Sequence, residues 1–475
     1  MKLDRFQRTR LAVAIGGAVM SLAAGQAFGS AFALQEQNAS GLGNAYAGGA
    51  AVAEDVSTIW FNPAGLSRIK SMQVVAAGNL ICPSAKFNDN GNSRPAMFQT
   101  LGGNGGDAGG CAAVPNLYLG VPITDRWSFG LGVNVPFGLK TEYDSNWLGR
   151  FQAIESKIET INVNPTLAFA ATKELTLGAG VNWQKVDATL TNQVNFAALY
   201  AQGIGGLVAN GTIPATAAPT LIGAAAGLES GAKIEGNDNA WGWNAGVLWQ
   251  ATPSTRFGAS YRSSIKYTVN GTVNFNNPTA SQLGALPPTL APVGALVVNG
   301  VNAALVNGNV SLALKTPDSA NVSFFSTVND KWDVMADLQY TGWKSIQQLQ
   351  IVRSTGVVLN TLPENFRNTW RGSVGANYHY DDRWTIRGGV AYDQSPVNNT
   401  DRSPRLPDNN RTWIALGAQY KFNPNWTLDV AYSYIWVQNP DINQNGGNQA
   451  GLGLISGSYK SNVNILGAQV AYTFR

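Results

Sequence analysis

The chain has 475 residues, of which only 13% are charged, with 53 glycines, 14 tryptophans and a formal net charge of +4. A soluble domain carries ~25% charged residues, and a mean hydropathy of −0.08 is too low for a bundle of apolar helices. Composition therefore fits neither a soluble globular protein nor a helical membrane protein, and so small a charge makes no case for a nucleic-acid partner.

At the N-terminus Lys2, Arg5, Arg8 and Arg10 precede the apolar run "LAVAIGGAVMSLAA", and Ala27 and Gly29 supply small residues where a signal peptidase reads. Residues 1–29 are thus expected to be a signal peptide, cleaved after Gly29 or, as the second choice, after Ala31. Beyond it no run of 18 apolar residues follows. Any membrane span must then be made of strands.

Residues 30–70, "SAFALQEQNASGLGNAYAGGAAVAEDVSTIWFNPAGL" and the few residues after it, are rich in small residues and helix-like. Standing before a barrel, the segment has one economical place, inside the lumen as a plug. Near its end Trp60 and Phe61 precede Asn62-Pro63-Ala64-Gly65. Pro63 lacks an N–H and holds its predecessor extended, and Gly65 permits angles other residues avoid. The expectation is a fixed bend where the chain leaves the lumen, with Trp60 and Phe61 anchored on apolar wall. A pivot for a moving plug and a plain corner are both open.

From residue 71 to 475 the pattern has period two. In "NWTLDVAYSYIW" Trp426, Leu428, Val430, Tyr432, Tyr434 and Trp436 share one face, against Thr427, Asp429, Ala431 and Ser433. "RTWIALGAQYKF" and "RWSFGLGVNVPF" repeat it, the latter with Trp127, Phe129, Leu131, Val133 and Val135 on the apolar face. An apolar face ending in aromatics, opposite a small or polar one, describes a transmembrane barrel strand. Short turns near 125, 173, 253, 330, 382 and 424 alternate with long loops at roughly 81–112, 138–157, 191–237, 274–308, 352–365, 395–409 and 440–459, which gives fourteen strands. The fold class is all-β: a fourteen-stranded antiparallel transmembrane barrel with a small N-terminal plug.

Four local features follow. Cys82 and Cys111, the only cysteines, are expected to form one disulfide in the first outer loop. Two thiols and the single His379 are too few to ligate a metal. In the third strand, "NVPFGLKTEY", Pro136 cannot donate to the ladder and Gly138 accepts a kink, so an inward kink opening a gap in the wall is expected there. The 191–237 loop is unusually apolar, which fits a capture surface or a loop folded over the mouth.

By parity Asp333, Asp337, Arg371, Arg387, Lys421 and Asp429 face inward, where charges pair with one another. A salt-bridge network holding the plug is the expectation. Lys185, Arg367 and Arg371 are the cations nearest the loops, and hence possible contacts for a ligand carboxylate. His379, also inward, has no serine partner in view and is expected to be a satisfied interior side chain rather than part of an enzyme.

The segment "SAFALQEQNASGLGNAYAGGAAVAEDVSTIWFNPAG" resembles the N-terminal hatch of the FadL-type long-chain fatty acid and hydrocarbon transporters. "VPFGLKTEYDSNWLGRF", "YTGWKSIQQLQI", "YDDRWTIRGGVAYDQSPV" and "RLPDNNRTWIALGAQYKF" resemble further signatures of that family, in order along the chain. The resemblance implies capture of a hydrophobic ligand by outer loops, an internal apolar pocket, and lateral release into the outer membrane of a Gram-negative bacterium after hatch movement. It implies no cofactor. It places Phe32 in the pocket as a competitor of the ligand, Gly138 at the wall kink, and Phe137 along the exit. Long-chain fatty acid is the expected cargo, with monoaromatic hydrocarbon as the alternative and a general diffusion porin as the alternative of another class. Outer-membrane lipid is the other partner, and a monomer is expected.

Overall fold

The computed structural model describes residues 31–444 and 451–474; the expected leader and its cleavage position lie outside the described residues. Fourteen antiparallel strands form the wall: β1 Gln73–Asp89, β2 Ala112–Pro122, β3 in two pieces Trp127–Asn134 and Gly138–Glu142, β4 Glu155–Ala170, β5 Leu175–Val194 and β6 Ser230–Gln250. Then come β7 Thr255–Arg262 and Lys266–Asn276, β8 Gly308–Lys315 and Ser319–Asn329, β9 Trp332–Thr341 and Gln348–Arg353, and β10 Val358–Pro363 and Thr369–His379. β11 Trp384–Asp393, β12 Arg411–Lys421, β13 Trp426–Val437 and β14 Ile455–Thr473 complete the set. β1 pairs with β14 from Gln73↔Thr473 to Asp89↔Gly457, so the sheet closes and leaves no edge.

Burial follows the sequence period. On β12 Ile414 and Leu416 are 58% and 63% exposed while Ala415 between them is 2% exposed. The ring pairs Trp127–Phe169, Trp384–Tyr420 and Trp426–Tyr472, each with centroids 4.6 Å apart, bridge neighbouring strands at the short-turn end. This is the aromatic girdle of a membrane barrel. The strands run further into the long connections than the loop bounds expected from sequence, because β1 reaches Asp89 and β5 and β6 extend to Val194 and from Ser230. Strands of 17 to 21 residues exceed the ~9–11 needed to cross and so project beyond the membrane.

Residues 31–70 pack inside this wall as α1 Ala39–Leu42, α2 Gly49–Val52, α3 Thr58–Phe61 and a 3₁₀ turn Pro63–Arg68. Leu42, Val56 and Ile59 are fully buried. The wall admits this backbone through glycines. A Cβ on Gly258 would lie 1.9 Å from the Ala50 carbonyl, and one on Gly389 would lie 2.2 Å from that of Asn44. The longest loops carry α4 Phe196–Ala209, α5 Ala218–Ala224 and α6 Ala291–Ala304, which bury Tyr200, Ile204, Leu221 and Val298 against one another. Their outer side keeps Leu296 exposed.

Candidate functional site: an apolar pocket, a broken strand and the segment between them

The sequence feature that organises the site is the interruption of β3. Pro136 has no N–H to give to the ladder, and the strand stops at Asn134 and resumes at Gly138. It has not simply ended, since Gly138–Glu142 pairs with β4 from Gly138↔Glu159 to Glu142↔Glu155. On its other side, pairing to β2 goes no further than Leu117↔Val133. Val135, expected on the outer face, is instead buried 3% exposed in the interior core, because the break turns the chain inward.

The freed backbone groups do not go unmet. The Leu34 N–H donates to the Pro136 carbonyl and the Gly138 N–H to the Phe32 carbonyl, both at 2.9 Å. The Thr160 hydroxyl serves the Phe137 N–H at 2.9 Å and its carbonyl at 2.8 Å. Residues 32–34 thus act as a strand added from inside. In hydrocarbon an unmet backbone group costs several kcal/mol, so this piece of chain is what makes the break tolerable.

Phe32 is held by that pairing in an apolar pocket. Its ring lies 4.8 Å from that of Trp343 and 5.7 Å from that of Phe137, among Val186, Ile265, Leu314 and Phe366. The Ala31 N–H donates to Asp408 at 2.9 Å, and Asp408 is itself held by Arg411. Next to Phe32 a cavity of about 70 Å³ remains, lined by Leu34, Trp60, Pro136, Phe137 and Arg262 among others. Ligand pockets are ~300–1,000 Å³. With residues 31–34 in place, no alkyl chain fits.

The Asn62-Pro63-Ala64-Gly65 bend is rigid for a reason partly different from the one expected. Asn62 is fully buried and donates to the Ala50 carbonyl at 2.7 Å and to that of Val247 on β6 at 2.9 Å, while its side-chain oxygen accepts from the Ala64 N–H at 3.0 Å. Pro63 opens the 3₁₀ turn. Gly65 uses no positive φ. It is glycine because a Cβ there would lie 2.1 Å from Thr58 Oγ1. Trp60 and Phe61 are only partly buried, so the deep anchors are Ile59 and Leu66 instead. Trp60 lies under the Arg262 guanidinium, 3.7 Å from carbon to centroid, and Phe61 stacks on Tyr46 at 5.8 Å.

The inward charges form separate links rather than one network. Arg387 grips Glu54 of the inner segment and Asp429 of β13, the latter at 3.1 Å. Arg371 donates to the Ala45 carbonyl at 2.8 Å. Asp337 accepts from Ser323, and Asp333 meets His379 at 2.8 Å. His379 is also 3.2 Å from Thr385. Lys421, expected in the network, is exposed at the turn end and has no ion pair. Glu54 and Arg256, which donates to the Ala51 and Val52 carbonyls, were not expected to link segment and wall.

The cations expected to meet a ligand carboxylate need correction. Lys185 shares the outward parity of exposed Leu177 and Val181 and pairs with Asp187 at 2.9 Å. Arg367 is exposed and held by the Ser395 carbonyl. Arg371 is occupied by the inner segment. The cation that reaches the cavity is Arg262, which was not singled out from the sequence, although exposed Phe257 and Tyr261 on the same strand share the opposite parity. The disulfide Cys82–Cys111 is present. It joins Cys82, midway along β1, to Cys111 just before β2, next to the pair Ile81↔Ala112.

A closed fourteen-stranded barrel with aromatic girdles and an occupied lumen defines an outer-membrane transport protein. The family model "Outer membrane protein transport protein (OMPP1/FadL/TodX)" matches residues 20–474, and the chain belongs to that family. It is a transport channel and not an enzyme. The long-chain fatty acid transport protein of Escherichia coli K12 is 30% identical over 447 residues, covering 92% of this chain and 94% of that one. A FadL homologue from Pseudomonas aeruginosa, known from its crystal structure, superposes with a TM-score of 0.81 at 28% identity, over 94% of this chain and all of that one. The toluene transporter TodX of Pseudomonas putida shares the fold, with a TM-score of 0.62 at 19% identity over 94% and 99% of the two chains.

Proposed function

We propose that the chain carries long-chain fatty acids or similar apolar molecules through the outer membrane, with residues 30–70 as the hatch and 71–475 as the barrel. Ligand gathered on the apolar loop helices enters the Phe32 pocket, displaces residues 31–34, and leaves sideways through the break in β3. One observation carries this reading: the same short strand fills the apolar pocket and completes the wall at Pro136–Gly138. Filling one site therefore unmakes the other, and binding is coupled to opening without any cofactor. A general diffusion porin would need an open aqueous lumen, which residues 31–70 occupy.

Uptake of labelled oleate and labelled toluene is to be measured in cells lacking the protein and in cells carrying wild type or Gly138→Leu. Wild type should restore oleate uptake, and Gly138→Leu should bind oleate but fail to pass it. Restored toluene uptake without oleate would replace the cargo, and unimpaired uptake by Gly138→Leu would place the exit elsewhere.

A further inference from the structure

Among the described residues, three pairs of lysines stand directly opposite each other across neighbouring strands: Lys86 and Lys460 on β1 and β14, Lys140 and Lys157 on β3 and β4, and Lys266 and Lys315 on β7 and β8. All face outward, since the residues that alternate with them, Phe87, Tyr459, Leu139, Tyr267 and Leu314, are buried. Like charges placed directly opposite are destabilising.

Two of the pairs are offset from within the protein. Lys140 meets Glu142 and Glu155, Lys157 meets Glu159 at 2.9 Å, and Lys86 meets Asp107 at 3.8 Å. The third pair is not. Among the described residues no ion pair includes Lys266, Lys315 or the exposed Lys344 that follows the first piece of β9. The carboxylates in the neighbourhood are engaged elsewhere. Asp318 accepts from the Tyr261 hydroxyl at 3.0 Å, and Asp238 from the Thr268 N–H at 2.7 Å.

Depth indicates what would offset this third pair. Tyr261, Ala320, Tyr340 and Trp370 share one register row on β7 to β10. Within that row and beside it the ring pairs Tyr340–Trp370 and Trp243–Tyr261 have centroids 5.2 Å apart. Toward the short turns the outward face is apolar, with Val322 60% and Leu338 49% exposed. Toward the long loops, past the interruptions of β7 and β8, come Lys266 and Lys315. Interfacial aromatics sit at headgroup level and the long loops mark the outer side. The lysines therefore stand among the headgroups of the outer leaflet, where basic residues draw anionic lipid.

We propose that Lys266 and Lys315, with Lys344 beside them, bind the phosphate of a phosphorylated lipid of the outer leaflet. An ammonium offers three donors and a phosphate only acceptors, so one phosphate between the two lysines turns their repulsion into attraction. The site backs onto the ligand pocket, because the alternating residues Tyr267, Leu314 and Trp343 belong to the apolar cluster around Phe32. It depends on the outer-membrane setting and not on the identity of the cargo.

The test titrates the purified protein in detergent with diphosphoryl lipid A, and with phosphatidylcholine, whose phosphate is neutralised by its own choline. Binding is read by native mass spectrometry. Lys266→Gln with Lys315→Gln should weaken lipid A binding about twentyfold or more, at about fivefold per lysine. Lys86→Gln with Lys460→Gln removes the same charge from the far side of the barrel and should bind as wild type does. Melting gives a second reading. Without lipid the Lys266/Lys315 variant should melt at or above wild type, because its repulsion is gone, whereas lipid A should raise the melting temperature of wild type alone. Equal weakening in both double variants would reduce the effect to net charge, and unchanged binding in the Lys266/Lys315 variant would mean that no site exists there. Phosphatidylcholine held as tightly as lipid A would mean that phosphate charge is not recognised. Inorganic phosphate displacing lipid A at equal concentration would make this a site for soluble anions. Any of these four results overturns the proposal.

Discussion

In the proposed mechanism Phe32, buried among Val186, Ile265, Leu314 and Phe366, stands where the ligand would bind. Burying a Phe contributes roughly 1.5–3 kcal/mol, which is the amount a fatty acid must outbid to enter. Phe32→Ala should therefore bind oleate about tenfold tighter or more, measured by displacement of a fluorescent fatty acid from the purified protein. Unchanged affinity together with unchanged uptake would show that the first residues merely rest there. Glu364 makes a second residue-scale case, just past the end of the Val358–Pro363 strand and outside the membrane-spanning stretch. Burial pushes its carboxyl up to about 8, with Arg405 pulling it back and Asp401 pushing it further. A carboxyl raised above its unfolded value of ~4.3 holds its proton more tightly in the folded state. The folded mouth is thus favoured below that value and loses stability as pH climbs toward 8. Glu364→Gln removes the titration, so its thermal unfolding should gain on wild type between pH 5 and pH 8. Parallel melting curves at the two pH values would contradict this.

At the scale of elements, the bend at residues 62–65 ties the inner segment to β6 through Asn62. Gly65→Ala tells little, because its Cβ would collide with Thr58 Oγ1. Pro63→Ala is the cleaner change, since the bonds of Asn62 to β6 and α2 remain. If the bend is a pivot, Pro63→Ala should assemble normally and lose most of its oleate uptake. Poor assembly, seen as loss of the folded band on unheated gels, would make it a corner and nothing more. Much of this element was legible in sequence, because proline and glycine act locally. The reason for Gly65 was not, since it lies in the approach of Thr58 from an earlier turn.

For the whole molecule, the Cys82–Cys111 link spans 29 residues and in the chain-entropy model stabilises by roughly 3–4 kcal/mol. Cys82→Ser with Cys111→Ser should lower the temperature at which the folded barrel gives way on gels. No shift would mean that the hairpin ladder alone holds that end.

The sequence by itself determined the barrel, the strand number, the inward and outward faces of the strands apart from Val135, the break in β3 and the presence of an inner segment. The first four depend on a period of two or on the backbone limits of proline and glycine, which neighbouring residues express without help, and the inner segment stands out as the stretch that lacks the period. Tertiary structure alone decided what meets what. Residues 30–70 have no period to read, so the pairing of Phe32 and Leu34 with Pro136 and Gly138, and the grip of Arg387 on Glu54, appear only when segments a hundred or more residues apart are folded together.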